Sequence, residues 1–276
     1  MLETNILFRT LQQKKRQNNL YFYLQIFLFL LLLKYLSGNE IRLVVTLTGE
    51  QRLINDNNDY LPTEIIVEGT TCSSLCTINE SPSIVIIRFN PGITNCAHMF
   101  EGLSCIKEID LSNFDFSNVI DMYGMFMSCS NLDSINFGDI NTESLVNAGV
   151  LFQGCSNLKS VDLSKFNFER VTTFYGMFLD CISLESVNFG NINSPYLENM
   201  GVVFFQNCQN LESIDLSKIN FNKVTNMAGM FFNCIKLKDV NFGEIDTSSL
   251  VNMRQLFQQC TSLESILFIK IWHFKC

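Results

Sequence analysis

The stretch "YGMFMSCSNLDSINFG", residues 123–138, writes Met-Phe-x-x-Cys ahead of Leu-x-x-Ile-x-Phe, and nearly the same pattern returns along most of the chain. Its cysteine gives the period. Cys129, Cys155, Cys181, Cys208, Cys234 and Cys260 are separated by 26, 26, 27, 26 and 26 residues. Phe126, Phe152, Phe178, Phe205, Phe231 and Phe257 precede them by three places, and Leu132, Leu158, Leu184, Leu211, Leu237 and Leu263 follow by three. The single step of 27 is an extra residue in "VVFFQNC" (202–208). A diverged copy begins at "NCAHMFEGLSCIKEIDLS" (95–112), with Leu103 at the cysteine position, making seven copies. A fixed period of this size signals a solenoid and lies in the leucine-rich-repeat range.

Each copy divides into two local structures. In "DMYGMFMSC" the apolar Met122, Met125, Phe126 and Cys129 recur at i, i+3, i+4 and i+7, the spacing of one face of a short helix. Just before it stands Asn95, Asp121, Asn147, Thr173, Asn199, Asn226 or Asn252, each able to accept a hydrogen bond from an orphan amide as an N-cap. "LDSINFG" then reads as a short strand with Ile135 and Phe137 on one face. No copy can bury both faces alone, so neighbours must complete each core and the strands should form one parallel sheet. The predicted fold is α/β: a leucine-rich-repeat-like solenoid with a parallel sheet and short helices, and an N-terminal β cap.

The copy "VTNMAGMFFNCIKLKDVNFGEIDTSSL" (224–250), with "LSNFDFSNVIDMYGMF" (111–126), resembles the BspA-like leucine-rich-repeat surface proteins over residues 95–268. The departures are Ala148 and Phe174 for the helix methionine, and Phe116, Phe168 and Phe221 for a threonine. The resemblance implies a secreted or surface-displayed solenoid associated with adhesion to cells or matrix, and no catalytic residue.

Outward from the repeats, residues 12–38, "QQKKRQNNLYFYLQIFLFLLLLKYLSG", place a basic cluster before an apolar run from Leu20 to Leu33. That run suits a secretory h-region and is short for a membrane span. Residues 1–38 are read as a signal peptide or an uncleaved signal anchor. In either case residues 39–276 are expected to be extracellular or at the cell surface, with membrane contact only through the apolar segment if it is uncleaved. Five basic residues and one acid lie in residues 1–38; without them 14 basic and 26 acidic residues remain, a net of -12. Such a body repels phosphate backbones and argues against nucleic-acid binding. Residues 39–94, with "EIRLVVTLTG", "EIIVEG" and "SPSIVIIRFNPG", are assigned to the cap, as a small sheet continuing the parallel stack and ending in a first irregular coil strand. Residues 95–268 are the solenoid and 269–276 a tail, whose apolar edge invites self-association.

Candidate sites follow from position. The cysteines of the repeats share a stripe with Met and Phe and suit a buried core slot, with a disulfide or metal ladder as the alternative. Cys72 and Cys76, in the polar "TTCSSLCTINE", are a disulfide candidate, or free or differently paired thiols. Between the buried strand residues stand Asp110, Asn136, Asp162, Asn188, Asp215 and Asn241, strictly alternating because copies come in "DLS" and "NFG" forms. Alternation separates like charges and allows amide–carboxylate bonds; the row is read either as a stabilising ladder or as the polar floor of a ligand-binding face. His98 and His273 stand at no recognisable catalytic spacing, and no phosphate-loop, dinucleotide or zinc-protease motif occurs. No enzyme activity, cofactor or metal is expected.

The expected function is a non-enzymatic secreted or cell-surface recognition or adhesion protein. It would present an elongated repeat surface to protein or glycan ligands on cells or matrix. The alternative is a structural coat or scaffold component assembling through solenoid ends. Seven strands of about five residues span about 570 Å², below the roughly 800 Å² that a stable complex uses per partner, so binding is expected to need multivalency.

Overall fold

A computed structural model describes residues 39–56, 58–192, 194–198, 200 and 203–268. The proposed export segment 1–38, Asn199 and the tail 269–276 with His273 and Cys276 lie outside the described residues.

The cap is built from β1 (Asn39–Val45), β2 (Gly49–Arg52), β3 (Pro62–Val67), β4 (Thr70–Cys72), β5 (Leu75–Ile78) and β6 (Ser83–Phe89). In β1 and β6 alternate residues are buried: Ile41, Leu43 and Val45, then Val85, Ile87 and Phe89. This period of two follows from the pleat. The sheet order is β4-β3-β6-β1-β7-β8, where β7 (Ile106–Asn113) and β8 (Ser134–Asn136) belong to the first two coils. Within the cap every pairing is antiparallel, and β1 also meets β7 antiparallel. The parallel continuation expected of this segment is therefore corrected: "SPSIVIIRFNPG" is a central cap strand between β3 and β1, not a coil strand. Antiparallel pairing lets short turns join neighbouring strands, and parallel strands would need longer crossovers.

Beyond β7 and β8 come β9 (Ser160–Asp162), β10 (Ser186–Asn188), β11 (Ser213–Asp215), β12 (Asp239–Gly243) and β13 (Ser265–Phe268). From β7 to β13 the chain makes six turns of a solenoid. Its strand pairs are parallel and in register: Asp110 opposite Asn136, Asp162 opposite Asn188, Asp215 opposite Asn241. The expected single sheet is instead divided into β7–β8, β9–β10 and β11–β12–β13.

The expected helices are absent among the described residues, whose only helical element is a 3-10 turn at Asn58–Tyr60. Residues 122–129 form successive turns whose amides alternate in direction. Met125, Met127 and Cys129 donate three residues back, to Met122, Gly124 and Phe126, at 3.0–3.1 Å. Gly124, Phe126 and Ser128 donate instead to Gly149, Leu151 and Gln153 of the next coil, at 3.0, 3.0 and 2.6 Å. Gly124 and Ser128 also take φ of 59° and 60°, which a right-handed helix excludes. The capping bonds survive the loss of the helix. Tyr123 N–H donates to Asp121 at 2.8 Å, Gly149 N–H to Asn147 at 3.2 Å, and Tyr175 N–H to Thr173 at 3.0 Å.

The core repeats with every coil. Phe100, Phe126, Phe152, Phe178, Phe205, Phe231 and Phe257 form one column of rings, 5.3–5.9 Å between centroids with planes within 13° of parallel. The extra residue before Phe205 leaves the column intact, since its ring lies 5.3 Å and 2° from that of Phe178. A second rule has a period of two coils. Coils carrying Asp in the strand bury Leu111, Leu163 and Leu216 with Phe116, Phe168 and Phe221; coils carrying Asn bury Phe137, Phe189 and Phe242 with Thr142, Ser194 and Thr247. Large and small side chains exchange places, so volume is conserved in each coil.

Candidate recognition face

The outward face of the strand column carries the alternating row. Asn136, Asp162, Asn188 and Asp215 are exposed, and Asp110 and Asn241 half-buried. One oxygen of each accepts the amide two residues on: Ser112 to Asp110 at 2.9 Å, Gly138 to Asn136 at 3.0 Å, Ser164 to Asp162 at 2.8 Å, Gly190 to Asn188 at 3.0 Å, Ser217 to Asp215 at 2.8 Å and Gly243 to Asn241 at 2.9 Å. These Asx turns bend the chain, and β8 to β11, each three residues long, end at them. The side-chain amides of Asn136 and Asn241 each donate at 3.1 Å to the carboxylate of the preceding coil, Asp110 and Asp215. The Ser164 and Ser217 hydroxyls and amides hold the Asp162 and Asp215 carboxyls below their ordinary range, and Asn188 and Asn241 add to this.

These contacts join an Asp coil to the Asn coil after it, and the main chain follows the same rule. Gly138, Gly190 and Gly243 take φ of 59°, 61° and 65°. A Cβ on them would lie 2.7–2.8 Å from Cα or Cβ of Ser112, Ser164 and Ser217. "NFG" is thus shaped to lie on "DLS". At the alternate steps, from β8 to β9 and from β10 to β11, the strands do not pair. The first of these steps is tied elsewhere: buried Thr142 accepts the Asn167 amide at 2.7 Å. Where the following strand departs, Ile135 and Val187 are half-buried, whereas Ile109, Val161 and Ile214 are fully buried.

Sequence reading missed a further column of corner residues, Asp115, Asn141, Asn167, Asn220 and Asp246, which accept the amides of Ser117, Glu143, Glu169, Asn222 and Ser248 at 2.9–3.1 Å. Its signal was present as Asn or Asp at the repeat period. The face is flanked by Lys107–Asp133 and Glu212–Lys238 pairs at 3.7 and 2.8 Å; past the corner column Tyr196 is exposed, with the Lys223 ammonium 4.9 Å above its ring. With three-residue strands its width is about 10 Å, which lowers its area to about 340 Å².

The cysteines lie on the opposite, inner side. Cys129, Cys155, Cys181, Cys208 and Cys234 are fully buried, and Cys260 is half-buried. Each thiol donates to the carbonyl of the phenylalanine one coil back: Cys129 to Phe100 at 2.9 Å, Cys155 to Phe126 at 3.1 Å and Cys181 to Phe152 at 3.0 Å. The later three repeat this at 2.9–3.1 Å. Burial pushes the Cys129 thiol up to about 12 and raises those of Cys155, Cys181, Cys208 and Cys234 as well. Among the described residues no group of His, Cys, Asp and Glu is placed to hold a metal. Cys72 and Cys76 form a disulfide, with Cα atoms 5.9 Å apart. His98 sits at the first coil beside Tyr123, its Nδ1 2.6 Å from Glu101 Oε2 in a geometry that does not align as a hydrogen bond.

The family model described as "Mycoplasma protein of unknown function, DUF285" matches residues 94–206 and 198–275. No curated protein matches. Among solved structures the chain is similar to a leucine-rich repeat protein from Bacteroides ovatus, at 16% identity and a TM-score of 0.23, over 70% of this chain and 61% of that one. The match therefore spans less than two thirds of that protein's length.

Proposed function

This chain belongs to the DUF285 family, and from that premise we propose that it is a non-enzymatic recognition protein of the cell surface or extracellular space. In this reading the repeat motif's resemblance to the BspA-like surface proteins is a true kinship. Protein or glycan ligands on cells or matrix meet the strand face coil by coil. The observation that carries the reading is the regular outward row of Asp and Asn, in which each residue type recurs every second coil, flanked by charged pairs. One oxygen of each residue is held by the chain's own amide, so the row is rigid before any ligand arrives, and preorganisation lowers the cost of binding. At about 340 Å² one copy is too small for a stable complex, and avidity from many displayed copies makes up the difference.

Surface biotinylation of intact cells, followed by N-terminal sequencing of the labelled chain, tests the location. Labelled protein is the expected result. Unlabelled cytosolic protein that retains Met1 would remove the reading. A second reading, a scaffold assembling through solenoid ends, is favoured by one observation. Leu256, Phe257, Cys260 and Leu263 of the last described coil are only partly buried, where their counterparts are fully buried. Sedimentation would show concentration-dependent association if the scaffold reading holds, and a strict monomer would exclude it.

A further inference from the structure

The outer face of the cap sheet meets the first two coils in a half-open cavity of about 380 Å³. The strand registers place its side chains in two rows: Arg42, Asp110 and Asn136 in one; Ile84, Val44, Glu108 and Ser134 in the other. Arg42 and Asp110 are paired residues of adjacent strands, yet no ion pair forms between them. The reason lies on the other side of Arg42. Its Nε donates at 2.8 Å to Glu40, a carboxylate only 6% exposed, whose other oxygen accepts Arg88 Nε at 3.1 Å. Arg88 is bound in turn to Glu64 at 2.6 Å. This network fixes the Arg42 guanidinium by its inner nitrogen and leaves both terminal nitrogens without a partner among the described residues. Glu108 likewise makes no ion pair or hydrogen bond there. Asp110 uses only Oδ1, for Ser112 and Asn136. The aliphatic wall is real surface: Ile84 is 65% exposed.

We propose that this cleft binds a small zwitterion with an aliphatic side chain, a free amino acid or a short peptide. The Arg42 terminal nitrogens take the ligand carboxylate in a fork, a geometry that guanidinium groups favour. Glu108 and Asp110 Oδ2 take the ammonium, and Ile84 with Val44 covers the side chain. A volume of this size falls at the lower end of small-molecule pockets. Because the charges are half-exposed, screening holds the affinity to about millimolar. The site is independent of the adhesion reading, since it needs neither multivalency nor a macromolecule.

The test is a methyl NMR titration of the full-length chain, labelled at isoleucine, with L-leucine and with leucyl-leucine. N-acetyl-leucine and leucinamide serve as charge-deleted controls. The expected result is saturable movement of Ile84 with buried Ile54 unmoved, and affinity about tenfold weaker for each capped compound. Glu108→Gln should abolish most of the penalty of acetylation, and Arg42→Gln most of the penalty of amidation. The tighter of the two zwitterions identifies the ligand's source. Absence of saturable movement, or an equal response to capped and uncapped compounds, would overturn the proposal. Unchanged dispersion of the other methyl signals keeps a binding loss distinct from misfolding in either variant.

Discussion

Gly190 has no room for a methyl group. At φ 61°, with Ser164 Cα 2.8 Å from where a Cβ would stand, Gly190→Ala meets both the left-handed penalty and a backbone clash. The expected loss is about 2–4 kcal/mol, read by denaturant unfolding. Ser164→Gly in the same chain should recover little, because the clash includes Cα. Cys155 makes a different point. Its thiol is a buried donor to Phe126, raised by burial, and the thiolate is the reactive form. Alkylation of the native chain at pH 8 should leave the fully buried cysteines unmodified, and unfolding should expose them; fast labelling of Cys155 in the native state would contradict its placement. The burial of these cysteines was legible from their shared stripe with Met and Phe. Their bond to the preceding coil was not, because a period says which residues stack but not which carbonyl lies within reach. The alternation of "DLS" and "NFG" was equally visible, while the fit of Gly138 onto Ser112 depends on backbone approach that no spacing encodes.

At the level of the element, the MF-x-x-C segment shows how one pattern serves two structures. Burial at i, i+3, i+4 and i+7 is the mark of a helix in isolation. Here, every second amide turns to the neighbouring coil, and consecutive turns bury the same residues. The cap positions were legible because Asn and Asp satisfy a nearby amide whether or not a helix follows. The strand row yields a pH expectation. Asp215 has its carboxyl held below the ordinary value of 3.8 by Ser217 first. A depressed carboxyl contributes stability above its unfolded value and loses it as pH falls through the folded one. Asp215→Asn should therefore be less stable than the parent at neutral pH, and the gap should close below about pH 4. A gap that widens in acid would reverse the assignment.

At the largest scale the described coils form a stack in which no coil owns its core. The Phe column runs through every coil from Phe100 to Phe257, but the Leu/Phe and Phe/Thr exchange and the Gly-on-Ser contact make two coils the unit that repeats. The sequence made the solenoid readable, since period is a global property. The cap's antiparallel order and the cleft it forms with β7 were not readable, since Arg42, Ile84 and Glu108 are brought together by pairing register alone. Excision therefore separates the two-coil account from a simple one-coil stack. Thermal unfolding of two deletions, residues 139–190 and residues 139–164, is the most direct measurement. The longer deletion keeps an Asn coil followed by an Asp coil and should unfold cooperatively near the parent's midpoint. The shorter sets Asn coil on Asn coil, with Gly190 over Gly138, and should lose several degrees or its cooperativity. Equal midpoints for the two, or a more stable single-coil deletion, would contradict the two-coil unit.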